Sequence, residues 1–334
     1  MLIKRMKKLT GIDPKSWEHP ADKAALSALK QMKGIDELVR NLVSITTERS
    51  LKLMVLASAV KVTQNQYARL HTILADVVDV FDWGYTPNLF VTQSPFWNAG
   101  VLGVKEPFII IHSAMLQGCE DAEIAAVIGH EMGHIMSGHA LYKTLVYLLA
   151  NISLNFIPMG DILVGPIKAA LFEWNRKSEL SADRAGLLAV QNADTNFNLL
   201  MKMAGAGDLN QVNINEFFYQ AQEYENQKTL LDSIHKVLNQ LWQSHPYPVI
   251  RLQELKTWEA SGGYQSILEG NYKKRGAGNE NVQEDVKGAY EYYQDSVKKG
   301  DDPVSNIFNN VGEGLEKAAE SIGEKLRDIL GNNG

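Results

Sequence analysis

Apolar residues recur at helical spacing through the first quarter of the chain. From Ala21 to Trp83 the sequence is rich in Ala, Leu, Lys and Glu. Leu38, Leu42 and Ile45, then Leu51, Val55 and Ala59, each fall on one face, which predicts packed helices. The period changes at Pro87. Asn88-Leu89-Phe90-Val91-Thr92 and Pro107-Phe108-Ile109-Ile110-Ile111-His112 are short β-rich runs bounded by Gly and Pro, so strands are predicted there. Phe96 to Gly103 reads as an edge strand between them, and its small residues Asn98, Ala99 and Gly100 leave room for another backbone to approach and pair. Helical patterns resume over Ala122–Ala140, over Lys177–Asp183, over Thr195–Leu241 and through Leu252, Leu255 and Trp258. Phe217, Phe218, Tyr219 and Tyr224 read as packing groups. The fold class is therefore α+β, mainly helical, with a small sheet.

Two apolar runs raise the question of a membrane. Leu145–Met159 contains Asn151 and Asn155 and ends at Pro158-Met159-Gly160-Asp161, while Ile162–Phe172 contains Pro166 and Lys168. A span needs about twenty apolar residues, and neither run reaches that, so two buried helices or a helical cap are expected. Membrane contact is left open but not favoured. The first nine residues carry a basic cluster with no apolar stretch behind it, which reads as a solvated tail rather than a secretory signal. The expected location is cytoplasmic, with peripheral attachment at the inner face of a membrane as the alternative.

Composition narrows the partners. The chain has 334 residues and a formal net charge of -6 with both signs dispersed, so nothing points to nucleic acid. Its one cysteine, Cys119, excludes an intrachain disulfide and reads as a buried, inert thiol. After Ile267 the texture changes. Gly270 to Asn279 reads as a flexible linker, and beyond Asp302-Pro303 an apolar stripe runs through Val304, Ile307, Phe308, Val311, Leu315, Ile322, Leu326 and Ile329. That stripe is expected to dock on the rest of the chain or on a partner.

The chemistry lies in the apolar helix. His130-Glu131-Met132-Gly133-His134 reads H-E-x-x-H, and two histidines four apart stand about 40° from each other around a helix. Both imidazoles can reach one Zn²⁺, and Glu131 is placed to take a proton from a metal-bound water. A catalytic site needs a third protein ligand and an open position. His139 falls on the opposite side of a continuous helix from His130, so it reads as a surface or outer-layer residue. Glu179 is the candidate third ligand. Asp183, four residues on, is placed to accept from the far nitrogen of a ligating histidine. Read alone, the same two acids also fit a solvated face shared with Lys177 and Arg184. Farther on, Ser244-His245-Pro246-Tyr247-Pro248 holds an extended entry to a helix, and His245 and Arg251 read as donors for a developing oxyanion or for substrate.

Taken together, Pro87 to Ala99, Gly129 to His134, Glu179 to Asp183, and His245-Pro246 with Arg251 resemble the HtpX-like and CAAX-prenyl-protease-like family of gluzincin metallopeptidases. The similarity spans roughly Pro20 to Trp258. It implies a zincin fold with the sheet above the active-site helix. It also implies one Zn²⁺ per chain on His130, His134 and Glu179, with Glu131 as general base and His245 and Arg251 assisting at the scissile carbonyl. The expected activity is hydrolysis of peptide bonds in extended or unfolded protein segments. The alternatives are a peptide-binding zincin with little turnover and a membrane-associated protease. The expected organisation is a basic tail over 1–19, a metallopeptidase domain over 20–268, a linker over 269–282 and a helical regulatory or docking segment over 283–334.

Overall fold

Proline and capping residues set where the first helix begins. In the computed structural model, which describes residues 6–32, 34–36, 38–39, 48–151, 164–205, 207–226 and 247–276, helix α1 runs Pro20–Gln31. Pro20 stands in its first turn, where a missing N–H costs nothing, and the His19 ring accepts from the Ala21 amide. Helix α2 (Glu48–Ser58) follows, then a two-residue strand β1 (Val60–Lys61) and helix α3 (Ala68–Val80). The sequence predicts helix throughout this stretch. Strand β1 departs from that because two residues are too short to register in a periodicity.

The three predicted strands form as β2 (Leu89–Thr92), β3 (Ala99–Leu102) and β4 (Phe108–His112). The sheet order is β1-β2-β4-β3, with β2 and β4 parallel and the other pairs antiparallel. Strand β3 is therefore an edge, as expected. Leu89, Val91, Val101, Ile109 and Ile111 join the larger core, whereas Phe90, Leu102 and Phe108 turn to a second core on the other face. Burial on both faces is why these strands read as apolar runs rather than alternating ones.

Beyond the sheet come α4 (Ser113–Gly118), α5 (Asp121–Met136), α6 (Ala140–Asn151), α7 (Val164–Val190), α8 (Ala193–Met203), α9 (Ile214–Asn226), α10 (Pro248–Ala260) and α11 (Gly263–Leu268). A reciprocal capping box between Glu120 and Glu123 starts α5. Pro248 opens α10. Helices α6 and α7 meet in the second core through Leu145, Leu148, Leu149, Leu171 and Trp174, and among the described residues no helix is long and apolar enough to cross a membrane. Of the aromatic packing group, Phe217 and Phe218 lie against the main core, but Tyr219 is 62 % exposed and does not pack.

The ends of the described chain differ from expectation. Within the basic tail expected over 1–19, Leu9, Ile12 and Trp17 are buried in the main core. The first part of the expected linker lies against them. Ile12 bridges to Lys274, and the Asp13 and Arg275 amides donate to Lys273 and Gly11 carbonyls. Alternating apolar residues among lysines hide this pairing in the sequence, since neither strand partner is complete alone. Leu42, Ile45, the later half of the Leu145–Met159 run, His245 and the chain from 277 onward lie outside the described residues.

Candidate metal centre and active site

Helices α5 and α7 approach closely because small residues face each other. A Cβ added at Gly133 would lie 2.5 Å from that of Ala185, and Gly129 meets Ala189 in the same way. The crossing draws the H-E-x-x-H turn of α5 against the acids of α7. His130 Nε2 stands 3.2 Å from Glu179 Oε2, and His134 Nε2 stands 3.2 Å from Glu179 Oε1. One potential ligand atom from each of the three residues lies within 4.8 Å of the others, and all three residues are buried. The solvated-face reading of Glu179 and Asp183 is thereby excluded.

The far nitrogens of both imidazoles are engaged. His130 Nδ1 meets Asp183 Oδ1 at 3.0 Å. Asp183 is gripped by the Arg251 fork, with Nε donating to Oδ2 at 2.8 Å and Nη2 to Oδ1 at 2.5 Å. The guanidinium thus fixes Asp183 while also bordering the pocket beside the cluster. His134 Nδ1 meets His139 Nδ1 at 3.1 Å. His139 was expected across the helix from the motif, but α5 ends at Met136 and Gly138, at φ +71°, folds the chain back. Its Nε2 reaches Asp22 Oδ2 of α1 at 3.2 Å, and Asp22 also accepts from Trp174 Nε1 and Ser181 Oγ.

Electrostatics follow from burial and these partners. Burial opposes the charged form of His130, but the Asp183 and Glu179 carboxylates outweigh it and raise its pKa to about 9. Burial, with the Lys143 ammonium beside it, drives His134 well below the usual imidazole range. Burial also raises the Glu131 carboxyl. Burial likewise opposes ionisation of Asp183 and Asp22, yet Arg251 holds the first below the usual carboxylate range and His139, Ser181 and Trp174 hold the second there. Cys119 is buried away from the ligand cluster, with its thiol pushed up to about 12 by burial and by Glu123.

Two observations test whether the cluster suits a cation. Lys143 Nζ lies 2.5 Å from Glu179 Oε1 and 3.3 Å from His134 Nε2, so a positive group already sits among the ligand atoms. Glu131 Oε2 is buried with no hydrogen-bond partner, an arrangement that costs free energy unless something else engages it. Two imidazoles and a carboxylate are also a donor set that Zn²⁺ takes at catalytic sites. The residues fit the metal.

Beside the cluster is a pocket bordered by His130, Glu131, Asp183 and Arg251 and walled by Met115, Val127, Leu199, Leu200 and Met203. Asn98, just before β3, and Ala99, its first residue, also line it. Gly100 follows on the same edge strand, paired with Ile110 on its inner side and with open space where a Cβ would stand. The sequence reading missed Lys143 and Asp22. Lys143 had a weak signal, being the only charge in the apolar helix α6, whereas Asp22 looks like any acid in a helix's first turn.

The profile of peptidase family M48 matches residues 64–259, more than half of the chain. Over 262 residues the sequence is 31% identical to the plastoglobule-localized metallopeptidase 48, chloroplastic, of Arabidopsis thaliana, covering 77% of this chain and 76% of that one. It is 28% identical over 146 residues to a protease HtpX homolog of Helicobacter pylori (strain Shi470), 43% of this chain and 44% of the relative. It is also 32% identical over 116 residues to the mitochondrial metalloendopeptidase OMA1 of Arabidopsis thaliana, 33% of this chain and 23% of that protein. The chain therefore belongs to peptidase family M48 and is a metallopeptidase.

Proposed function

We propose that the chain is a zinc-dependent endopeptidase that cleaves extended or unfolded protein segments, with one Zn²⁺ held by His130, His134 and Glu179. The observation that carries this reading is the convergence of those three residues around a single point, with the unpartnered Glu131 carboxylate facing the same pocket. When bound, Zn²⁺ supplies Lewis acidity that makes water a competent nucleophile near neutral pH and polarises a carbonyl. Glu131 accepts the proton of the attacking water and returns it to the leaving nitrogen. Burial favours its protonated form, which suits the second half of that task. Asp183 holds His130 by its Nδ1, with Arg251 anchoring Asp183 from behind. His245, outside the described residues, keeps the role of an oxyanion donor in this reading.

Substrate joins the edge of β3 at Asn98, Ala99 and Gly100 as an added strand. Pairing through main-chain groups requires no free terminus, which favours cleavage within a chain over trimming from an end. The setting we propose is cytoplasmic. The exposed Leu53, Met54 and Leu56 of α2, and a relative named for the plastoglobule, favour peripheral contact with a lipid surface as the second setting. Segment 283–334 is proposed to dock on the catalytic domain or on a partner chain.

The test is metal analysis beside peptide cleavage. Wild type should carry one zinc, and His134→Ala and Glu179→Ala should lose it. Glu131→Gln should keep zinc while activity falls by roughly 10²–10⁴-fold, the usual scale for a general acid–base group. Retained zinc in both ligand variants, or near-normal activity in Glu131→Gln, overturns the reading.

A further inference from the structure

The two histidines of the cluster are backed unequally. Behind His130 stands a carboxylate, Asp183, in direct contact. Behind His134 stands another imidazole, and the carboxylate is one step farther back on α1. We propose that His139 and Asp22 form a positioning relay that fixes the tautomer and ring orientation of His134, so that helix α1 is a working part of the metal centre. This rests on the reading of His134 as a zinc ligand.

Proton placement makes the relay directional. A ligating His134 offers its Nε2 lone pair toward the cluster, so its proton must reside on Nδ1. That N–H points at His139 Nδ1, 3.1 Å away, which must then be an acceptor. His139 is consequently neutral with its proton on Nε2, and that N–H donates to Asp22 Oδ2 at 3.2 Å. One assignment of protons satisfies the whole line from His134 to Asp22, and it ends on a carboxylate. Trp174 Nε1 donates to Asp22 Oδ1 at 3.0 Å and Ser181 Oγ to Oδ2 at 2.6 Å, so the carboxylate is held from both sides. The Trp174 ring also stands edge-on to His139, with centroids 5.4 Å apart, and limits its rotation. Asp22 and His139 are each 1 % exposed, so water cannot substitute for either partner. Asp22 lies well before residue 64, where the family match begins.

Carboxylates behind a ligating histidine typically change metal affinity by about 10–100-fold. In the full-length chain, Asp22→Asn should therefore weaken zinc binding by about that factor, measured by competition with a chromophoric chelator. Its cobalt(II)-loaded form should show a shifted visible absorption band. Leu29→Ala serves as the control. Leu29 is buried in the second core on the same helix and, being apolar, makes none of the relay's hydrogen bonds, so the variant should lower the thermal midpoint of the metal-free protein while zinc affinity stays within about two-fold, well short of the relay effect. Should Asp22→Asn fail to fold, His139→Phe retains a ring against Trp174 and should give the same loss of affinity. Unchanged zinc affinity and cobalt spectrum in the relay variant overturn the inference. So does a loss of affinity in Leu29→Ala that matches it. A wild-type chain that binds no zinc at all removes the metal reading itself, and the relay with it.

Discussion

At the scale of single residues, Lys143 is the side chain with the most at stake. Its ammonium sits 2.5 Å from Glu179 Oε1 and only 10 % of the side chain is exposed. In the metal-free chain it balances a carboxylate that is otherwise fully buried. Removing one member of a buried ion pair costs about 3–5 kcal/mol, because the remaining charge is left uncompensated. A bound cation would take over that compensation and compete with the ammonium for the same oxygen. Lys143→Met should therefore lower the thermal midpoint of metal-free protein markedly, tighten zinc binding, and leave the zinc-loaded midpoint nearly unchanged. An equal drop in both forms shows that Lys143 is structural whether or not metal is present. The residues legible in the sequence were those with a spacing. His130 and His134 at i, i+4 and Glu179 and Asp183 at i, i+4 each announce a shared helical face. Lys143 and Asp22 have no such partner in their own elements. They enter the site only because α6 and α1 fold onto it, and a lone acid in a first helical turn, such as Asp22, is usually there for the helix dipole.

Among the elements, the decisive contact is α5 on α7. The H-E-x-x-H spacing can orient two imidazoles, but the third ligand arrives only if the two helix backbones come close enough. Gly133 permits that approach. Gly133→Ala should gain about 1 kcal/mol in intrinsic helix propensity. Against this, the new methyl would stand 2.5 Å from Ala185 Cβ, in a buried seam with backbone of Ala182 behind it. Overpacking of this kind costs about 1–3 kcal/mol, and relief requires the helices to separate, which draws Glu179 away from both histidines. We expect a lower thermal midpoint together with weaker zinc binding. A stabilised variant of unchanged zinc affinity refutes the role assigned to the glycine. Here too the sequence was informative in part. Strands β2 and β4 were legible since their two buried faces make them continuously apolar, and β3 since its small residues sit between them. The turn at Gly138 was not, and missing it sent His139 to the wrong side of the helix.

Over the whole molecule, closure depends on two chain segments that the sequence presented as accessories. Residues 9–17 place Leu9, Ile12 and Trp17 in the main core, and residues 271–276 return to lie across them. Arg275 completes the contact. Its guanidinium donates to the Ile12 and Asp82 carbonyls and stacks on Trp83 at 4.8 Å. Among the described residues, the catalytic helices thus rest on a core that Leu9, Ile12 and Trp17 join from one side and that the 271–276 segment lies across. Ending the chain after Gly276 should leave zinc content and the thermal midpoint close to wild type, with peptidase activity equal or higher. Arg275→Ala in that shortened chain should be costly, because hydrogen bonds from a charged group contribute about 1.5–3 kcal/mol each. The comparison separates two architectures. If the chain ended at Gly276 loses zinc or fails to fold, the segment beyond it is part of the core. If it keeps both while Arg275→Ala lowers the midpoint, the boundary of the metallopeptidase domain lies after Arg275 rather than at Leu268, and the segment past Gly276 acts on a finished enzyme.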